Sequence, residues 1–249
     1  MLSIVEIFGP TIQGEGRFIG TPSVFVRFGG CNMSCSGFDV KYTTLDNKIK
    51  YSCDSFYASD SSFKSQWKQY NANQLINQLN KIIPDYKIDI VLTGGEPLLY
   101  WKDLEFQKVL EYYINIGHKI TIETNGSIQI DLDKDYHKDI VFSIGLKLSN
   151  SNEAVDKRIN INNLTNIINN TTESYLKFVI DIRYKDILIN EIDQIIKNLP
   201  KCDIYLMPLG STIDVVEQQA SEVIKLAIEK GFYYSDRLHI RVWDNKRGV

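Results

Sequence analysis

The chain has 249 residues, an apolar fraction of 43% and a formal net charge of −3. That is enough to bury a sizeable core, as one large α/β unit or two small ones. The balanced charge excludes the basic face of a nucleic-acid binder, and no apolar run approaches the ~20 residues needed to span a bilayer.

The N-terminal segment MLSIVEIFGPTIQGEG has no basic stretch leading into an apolar one, so it does not read as a signal peptide, and a cytoplasmic location is expected. Ser23–Phe28 then reads as a strand, followed by Asp89–Leu92, Lys119–Glu123, Asp139–Ser143, Tyr175–Ile180 and Asp203–Met207. Each run is short and rich in Ile, Val and aromatic residues, as buried parallel strands are. Helical spacing relates Leu75, Ile76, Leu79, Ile82 and Ile83, and again Val215, Val216, Ala220, Val223, Ile224, Ala227 and Ile228. Gly231 suits the C-terminal cap of the second series, and Ile187–Leu199 has a similar pattern. The final run His239–Trp243 is expected to add a strand.

Strand–helix repeats predict parallel strands joined by right-handed crossovers. About six units are too few for a closed eightfold barrel. A partial (β/α) barrel or an open doubly wound sheet fits, as one domain over residues 1–249. Ser36–Ser52 and Ser59–Tyr70 are polar and aperiodic, and predict an inserted loop region around residues 36–70.

Three of the four cysteines, Cys31, Cys35 and Cys53, fall in or just after the segment FVRFGGCNMSCSGFDV that follows the first expected strand. In β/α barrels the loops after strands build the active face. Crowded thiols in a reducing compartment point to metal rather than disulfide. Three thiolates on a four-iron cubane leave one iron open to a small molecule, whereas structural zinc lacks a fourth ligand of the usual paired spacing. Cys202 opens an expected core strand and reads as a small buried hydrophobe. His118 and His137 carry no motif and read as solvated or locally bonded.

Thr93-Gly94-Gly95-Glu96-Pro97 directly follows the second expected strand. Alone it fits a simple turn. After a cysteine triad on the preceding strand it resembles the radical S-adenosylmethionine (SAM) signature. There the glycines bring backbone acceptors close to the methionyl ammonium of SAM. Further segments resemble the 7-carboxy-7-deazaguanine synthase family from end to end. They are Gln13-Gly14-Glu15-Gly16, Phe25-Val26-Arg27, Glu123-Thr124-Asn125-Gly126, Leu206-Met207-Pro208, Arg237-Leu238-His239, Trp243 and Arg247-Gly248.

The resemblance implies a partial (β/α) barrel of radical SAM type, a [4Fe–4S] cluster, SAM, Mg2+ and a homodimer. It implies loss of ammonia from 6-carboxy-5,6,7,8-tetrahydropterin to give 7-carboxy-7-deazaguanine, a precursor of 7-deazapurines such as queuosine. An electron donor such as flavodoxin or ferredoxin is implied as a partner. The family spacing is C-x3-C-x2-C followed by Asp-Thr, yet Phe38 stands at the expected third position. The block Cys53-Asp54-Ser55-Phe56-Tyr57-Ala58 resembles the family's Cys-Asp-Thr-x-Tyr-Ala, so an insertion separates the second and third ligands.

Carried over residue by residue, the cluster ligands are Cys31, Cys35 and Cys53, and the Mg2+ ligand is Ser55. The substrate site is Ile12, Gln13, Gly14, Glu15, Arg27, Thr93, His239 and Val249, with the Arg27 guanidinium on the substrate carboxylate. SAM contacts fall to Gly94, Gly95, Glu96, Asn125 and Lys147. Gly145 replaces the serine of a family Ser-Pro-Lys segment, which leaves Lys147 as its functional member. The residues alone leave two other readings open: an activating enzyme that places a glycyl radical on a partner, and a non-catalytic zinc-binding module.

Overall fold

All six apolar runs read as strands lie side by side in one nine-stranded sheet. The computed structural model describes residues 1–249. The strands are β1 (Leu2–Ile12), β2 (Pro22–Phe28), β3 (Val40–Thr43), β4 (Ile49–Ser52), β5 (Lys68–Tyr70), β6 (Asp89–Gly94), β7 (Lys119–Thr124), β8 (Ile140–Leu146), β9 (Tyr175–Ile180), β10 (Ile204–Pro208) and β11 (Tyr233–Tyr234). The helices are α1 (Phe56–Ser59), α2 (Ala72–Leu79), α3 (Leu104–Asn115), α4 (Val155–Arg158), α5 (Ile161–Asn170), α6 (Lys185–Ile196), α7 (Ile213–Lys230) and α8 (Leu238–Trp243).

In space the main sheet runs β11-β10-β9-β8-β7-β6-β2-β1-β5. From β2 to β11 all neighbours are parallel. Their order in space follows their order in the chain, with no point at which it reverses. A doubly wound sheet needs such a reversal, so the sheet is that of a partial (β/α) barrel. The core holds 37 buried residues, among them Phe28, Phe106, Phe142 and Phe178. Local signals place the helices. Asn71 and Gln74 form a reciprocal capping box at α2, Asp103 caps α3, and Gly231 ends α7 in the left-handed conformation. No helix is long and apolar enough to cross a membrane.

Two expectations need correction, and a third is decided between its alternatives. His239–Trp243 is not a strand: it lies within the helix α8. The place beside β10 is taken by β11, and the Leu238 amide donates to the Gly14 carbonyl (2.8 Å), which pins the helix start against the N-terminal loop. The polar region 36–70 is not plain loop. Val40–Thr43 and Ile49–Ser52 pair as a hairpin, and Lys68–Tyr70 joins the main sheet beside β1. Its aromatic residues are too irregularly spaced for a periodic signal, yet Tyr42, Phe63 and Trp67 assemble a small core of their own with Phe56 and Tyr57 packed on it. His118 and His137 are buried, not solvated. His118 Nδ1 bonds the Ile88 backbone at 3.2 Å and His137 Nε2 meets Gln107 Oε1 at 2.9 Å, so both are locally bonded. β1 itself went unread in the sequence, because its charged and polar residues interrupt the apolar ones.

Candidate active site

The strand registers gather chemistry at one edge of the barrel. Glu6 pairs with Arg27 across β1 and β2, Arg27 with Thr93 across β2 and β6, and Gly145 with Lys177 across β8 and β9. Arg27, Thr93 and Gly145, with Glu123 near the end of β7, lie toward the C-terminal ends of the parallel strands, where β/α enzymes keep their chemistry; Glu6 on the antiparallel β1 and Lys177 within β9 adjoin them through the register.

The loop after β2 carries Cys31 and Cys35. The hairpin explains how Cys53 joins them. Val40 pairs with Ser52, so the inserted excursion leaves and returns at one place, beside Phe38. Ser52 Oγ then donates to the Ser34 carbonyl at 2.5 Å, tying the returning chain to the loop between Cys31 and Cys35. All three thiols are free of disulfides. Burial raises Cys31 to about 12, helped by the Glu96 charge. Burial raises Cys35 to about 11 against the pull of Lys147, and burial raises Cys53 with help from Asp54. No three Cys, His, Asp or Glu side chains converge as ligands of a single ion. A cubane requires instead that each thiolate meet a different iron. Three free thiols around one loop, with no fourth ligand, fit that group. Cys202 packs partly buried against the core, away from this loop.

The Gly94-Gly95 turn is built against the same loop. Gly94 has φ +132°, and a side chain on Gly95 would collide with the Gly30 backbone. The amides of Gly95 and Glu96 donate to the carbonyls of Phe28 and Gly30 (3.0 and 2.8 Å). The Glu96 carboxylate is fully buried and turned inward. It accepts from Leu98 N (3.0 Å), Thr124 Oγ1 (2.6 Å) and Asn125 N (2.7 Å), so it braces the turn against the loop after β7. Asn125 Nδ2 donates to Asn32 Oδ1 at 2.9 Å, which places this candidate SAM residue next to the thiol loop. The Lys147 ammonium faces the Phe38 ring at 5.8 Å and electrostatically opposes the raised thiols of Cys35 and Cys53. A cradle that only glycine fits, beside an ammonium and an amide, suits an amino-acid-bearing cofactor.

Opposite lies a network of buried charges. Glu15 Oε2 receives Lys177 Nζ at 2.6 Å, Glu15 Oε1 receives Arg237 Nε at 2.9 Å, and His239 Nε2 stands 3.9 Å away. Burial alone would raise the Glu15 pKa, but Lys177, Arg237 and His239 outweigh it and hold the group well below the carboxylate range. Gln13 is buried, donates to Glu123 Oε1 (3.2 Å) and accepts from Glu15 N (3.1 Å). Thr93 Oγ1 donates to Glu123 Oε2 at 2.7 Å. The His239 ring packs where any side chain on Gly14 would have to sit. Ile12, at the end of β1, pairs with Pro22 and begins this loop.

Arg27 is ion-paired to Glu6 through Nε (2.6 Å) and lies between the rings of Tyr57 (5.7 Å) and Phe8 (5.9 Å). The fork is thus pre-set by an aromatic wall. Beyond it Arg247 stacks over Tyr57 at 4.0 Å, which brings the segment ending at Val249 toward the same wall. Arg27→Ala is expected to weaken binding of a carboxylated pterin by roughly 2–5 kcal/mol, measured by calorimetry on protein of unchanged iron content. Unaltered affinity would leave Arg27 as a partner of Glu6 alone.

Ser55 precedes α1 without capping it through its side chain, and its Oγ lies 3.3 Å from Asp54 Oδ1. Burial would raise Asp54, but Arg237 (Nη2 to Oδ2, 3.1 Å) outweighs it and keeps the carboxylate ionised. A hydroxyl beside a carboxylate is an oxygen donor set that Mg2+ accepts. Three contributors were not assigned from sequence: Lys177, Glu123 and Arg237. A lone lysine inside the apolar strand YLKFVI was the available signal, because unpaired lysine is rarely buried. A polar groove of ≈ 670 Å³ lined by Lys68, Gln74 and Lys81 lies at β5 and α2 and contains none of these residues.

A partial (β/α) barrel with a three-thiol loop after its first parallel strand and a Gly-Gly-Glu-Pro turn after its second defines a radical SAM enzyme. The profile described as "4Fe-4S single cluster domain" matches residues 12–168. The 7-carboxy-7-deazaguanine synthase of Rhodopirellula baltica is 30% identical over 251 residues, covering 95% of this chain and 85% of that protein. The Halobacterium salinarum protein of the same name is 29% identical over 98% of this chain and 91% of its own. The crystal structure of QueE from Escherichia coli shares the fold, with a TM-score of 0.65 at 18% identity over 96% of this chain and 94% of that one. The chain belongs to the 7-carboxy-7-deazaguanine synthase family. That membership displaces the glycyl-radical activase and zinc-module readings.

Proposed function

We propose that the protein converts 6-carboxy-5,6,7,8-tetrahydropterin to 7-carboxy-7-deazaguanine with loss of ammonia, and that residues 1–249 act as one radical SAM domain. The observation that carries this is the placement of the Glu15–Lys177–Arg237 network, Gln13, Thr93 and Arg27 on the same barrel edge as the three-thiol loop. Cys31, Cys35 and Cys53 hold the cluster, and Gly94, Gly95, Glu96, Asn125 and Lys147 receive SAM. When bound, the pair supplies one-electron reductive cleavage of SAM and the hydrogen-abstracting radical that results. The protein supplies position and exclusion of water.

Arg27 grips the substrate carboxylate with its planar fork. Glu15 keeps lone pairs beyond those used by Lys177 and Arg237, and with Gln13 it accepts the pterin amine and ring N–H groups. The charges around Glu15 keep it anionic, so it serves as an acceptor throughout. His239 and Val249 close the mouth from the C-terminal segment. The family resemblance supports two further parts of this reading, a homodimer and electron supply by a flavodoxin or ferredoxin; a cytoplasmic location is proposed from the character of the N-terminal segment.

Anaerobic incubation of reconstituted enzyme with SAM, a reductant, Mg2+ and the carboxypterin tests the reading. Mass spectrometry should find the deazaguanine and equimolar ammonia. SAM cleavage with no pterin-derived product would sink the substrate assignment. For Mg2+, the Ser55 hydroxyl is the coordinating atom, and without a β-methyl it is less firmly preset than threonine. Ser55→Thr should retain activity, and Ser55→Ala should raise the Mg2+ concentration needed for half-maximal turnover at unchanged iron content. An unaltered Mg2+ dependence in Ser55→Ala would move the site to Asp54.

A further inference from the structure

We propose that Glu153 is a positioning residue for the cluster: it fastens the backbone between Cys31 and Cys35, and its negative charge keeps the cluster's reduction potential low. The inference rests on Cys35 being a cluster ligand.

The segment after β8 wraps the thiol loop. Glu153 Oε1 accepts from Ser34 N (2.5 Å), Ser34 Oγ (2.9 Å) and Cys35 N (2.9 Å), across more than a hundred residues of chain. Its other oxygen meets Lys157 Nζ at 2.6 Å, and the carboxylate is only 5% exposed. Neighbouring contacts share the task. Asn152 Nδ2 donates to Ser36 Oγ at 3.0 Å, and Gly37 lies against the Asn150 carbonyl with no room for a side chain. Arg158 donates to the Glu153 and Lys147 carbonyls, both at 3.1 Å, so the strap and the candidate SAM lysine form one unit.

The strap has a conformational reason. Cys35 has φ +49°, a left-handed backbone that a residue with a side chain adopts only when its surroundings over-determine it. Three hydrogen bonds donated to one carboxylate oxygen supply that constraint. Only donors surround this carboxylate: Ser34 N, Ser34 Oγ and Cys35 N on one oxygen and the Lys157 ammonium on the other. The carboxylate is therefore charged beside the thiols.

A fixed negative charge opposes the arrival of an electron, which lowers a reduction potential. Hydrogen bonds to cluster sulfurs also set that potential. The Ser34 and Cys35 amides are engaged by Glu153, whereas the Met33 amide points at Cys31 Sγ (3.4 Å). Lys157, half-exposed, offsets the Glu153 charge and gives a handle of opposite sign.

Three full-length variants test this after anaerobic reconstitution: Glu153→Gln, Glu153→Ala and Lys157→Met. Iron and sulfide per chain, thermal midpoint, and midpoint potential by EPR-monitored redox titration are measured without SAM. Glu153→Gln keeps an acceptor and loses the charge; it should hold full iron at a more positive potential. Lys157→Met should hold full iron at a more negative potential. Glu153→Ala should lose iron to a chelator about 10- to 100-fold faster than the parent. Unchanged potentials in both Glu153→Gln and Lys157→Met at full iron content would overturn the proposal, whatever the folding of Glu153→Ala. A parent protein that binds no iron would instead overturn the cluster assignment beneath it.

Discussion

Replacing Cys31, Cys35 or Cys53 by alanine abolishes the broad [4Fe–4S] absorbance and reductive SAM cleavage, while Cys202→Ala preserves both. A three-thiolate cubane has no spare ligand, so each loss is complete rather than graded. The informative member is Cys53, which lies 18 positions beyond Cys35 in the sequence. Pairing of Val40 with Ser52 folds that distance away and returns the chain to the thiol loop. Cys202 packs on the core and shares no contact with the loop's hydrogen bonds. Iron content and the visible spectrum of the four variants are the measurement. Full occupancy in Cys53→Ala would refute it as the third ligand. Because burial holds the Cys31 and Cys35 thiols at about 12 and 11, assembly must release protons, and cluster incorporation should rise with pH.

Lys177→Met should weaken pterin binding and fold stability together, with iron content unchanged. The Lys177–Glu15 pair is buried on both sides. Removing one partner of a buried pair costs roughly 3–5 kcal/mol, because an uncompensated charge is left behind. Arg237 still holds Glu15 Oε1, which puts the expected loss of folding stability at about 3 kcal/mol; the weaker pterin binding follows from the misplaced Glu15 carboxylate. Calorimetry with the carboxypterin and urea unfolding read the two effects. The pH dependence gives a second check. The Glu15 pKa is depressed in the folded state, so its stabilisation is present above the ordinary carboxylate range and fades as pH falls below it. The parent should lose more stability than Lys177→Met across that acid window. Unchanged pterin affinity in Lys177→Met would remove this lysine from the substrate site.

Much of this was legible without coordinates. The six parallel strands were recognisable because buried strands leave dense apolar runs; the observed bounds differ most at the C-terminal ends of β6 and β8, which run on to Gly94 and Leu146. The three cysteines, the Gly-Gly-Glu-Pro turn and the Gln-Gly-Glu-Gly loop were legible because each compresses its chemistry into a few adjacent residues.

What the sequence obscured was assembled from distant parts. His239–Trp243, within α8, reads as a strand because its alternation of polar and apolar residues is too short to show a helical period. The brace of the Glu96 carboxylate on Thr124 and Asn125 reaches across 28 and 29 residues of chain. Glu15, read as a free acceptor, is held by Lys177 and Arg237, which lie 162 and 222 residues away.

The sequence by itself determined the fold class and the cluster chemistry, since apolar periodicity and short motifs are local properties. Only the tertiary structure decided which charges face one another: Lys177 with Glu15, Arg237 with Asp54, Glu153 with the Cys35 amide. The physical reason is that buried charges are tolerated only in pairs, and their partners are chosen by strand register and chain return rather than by sequence spacing.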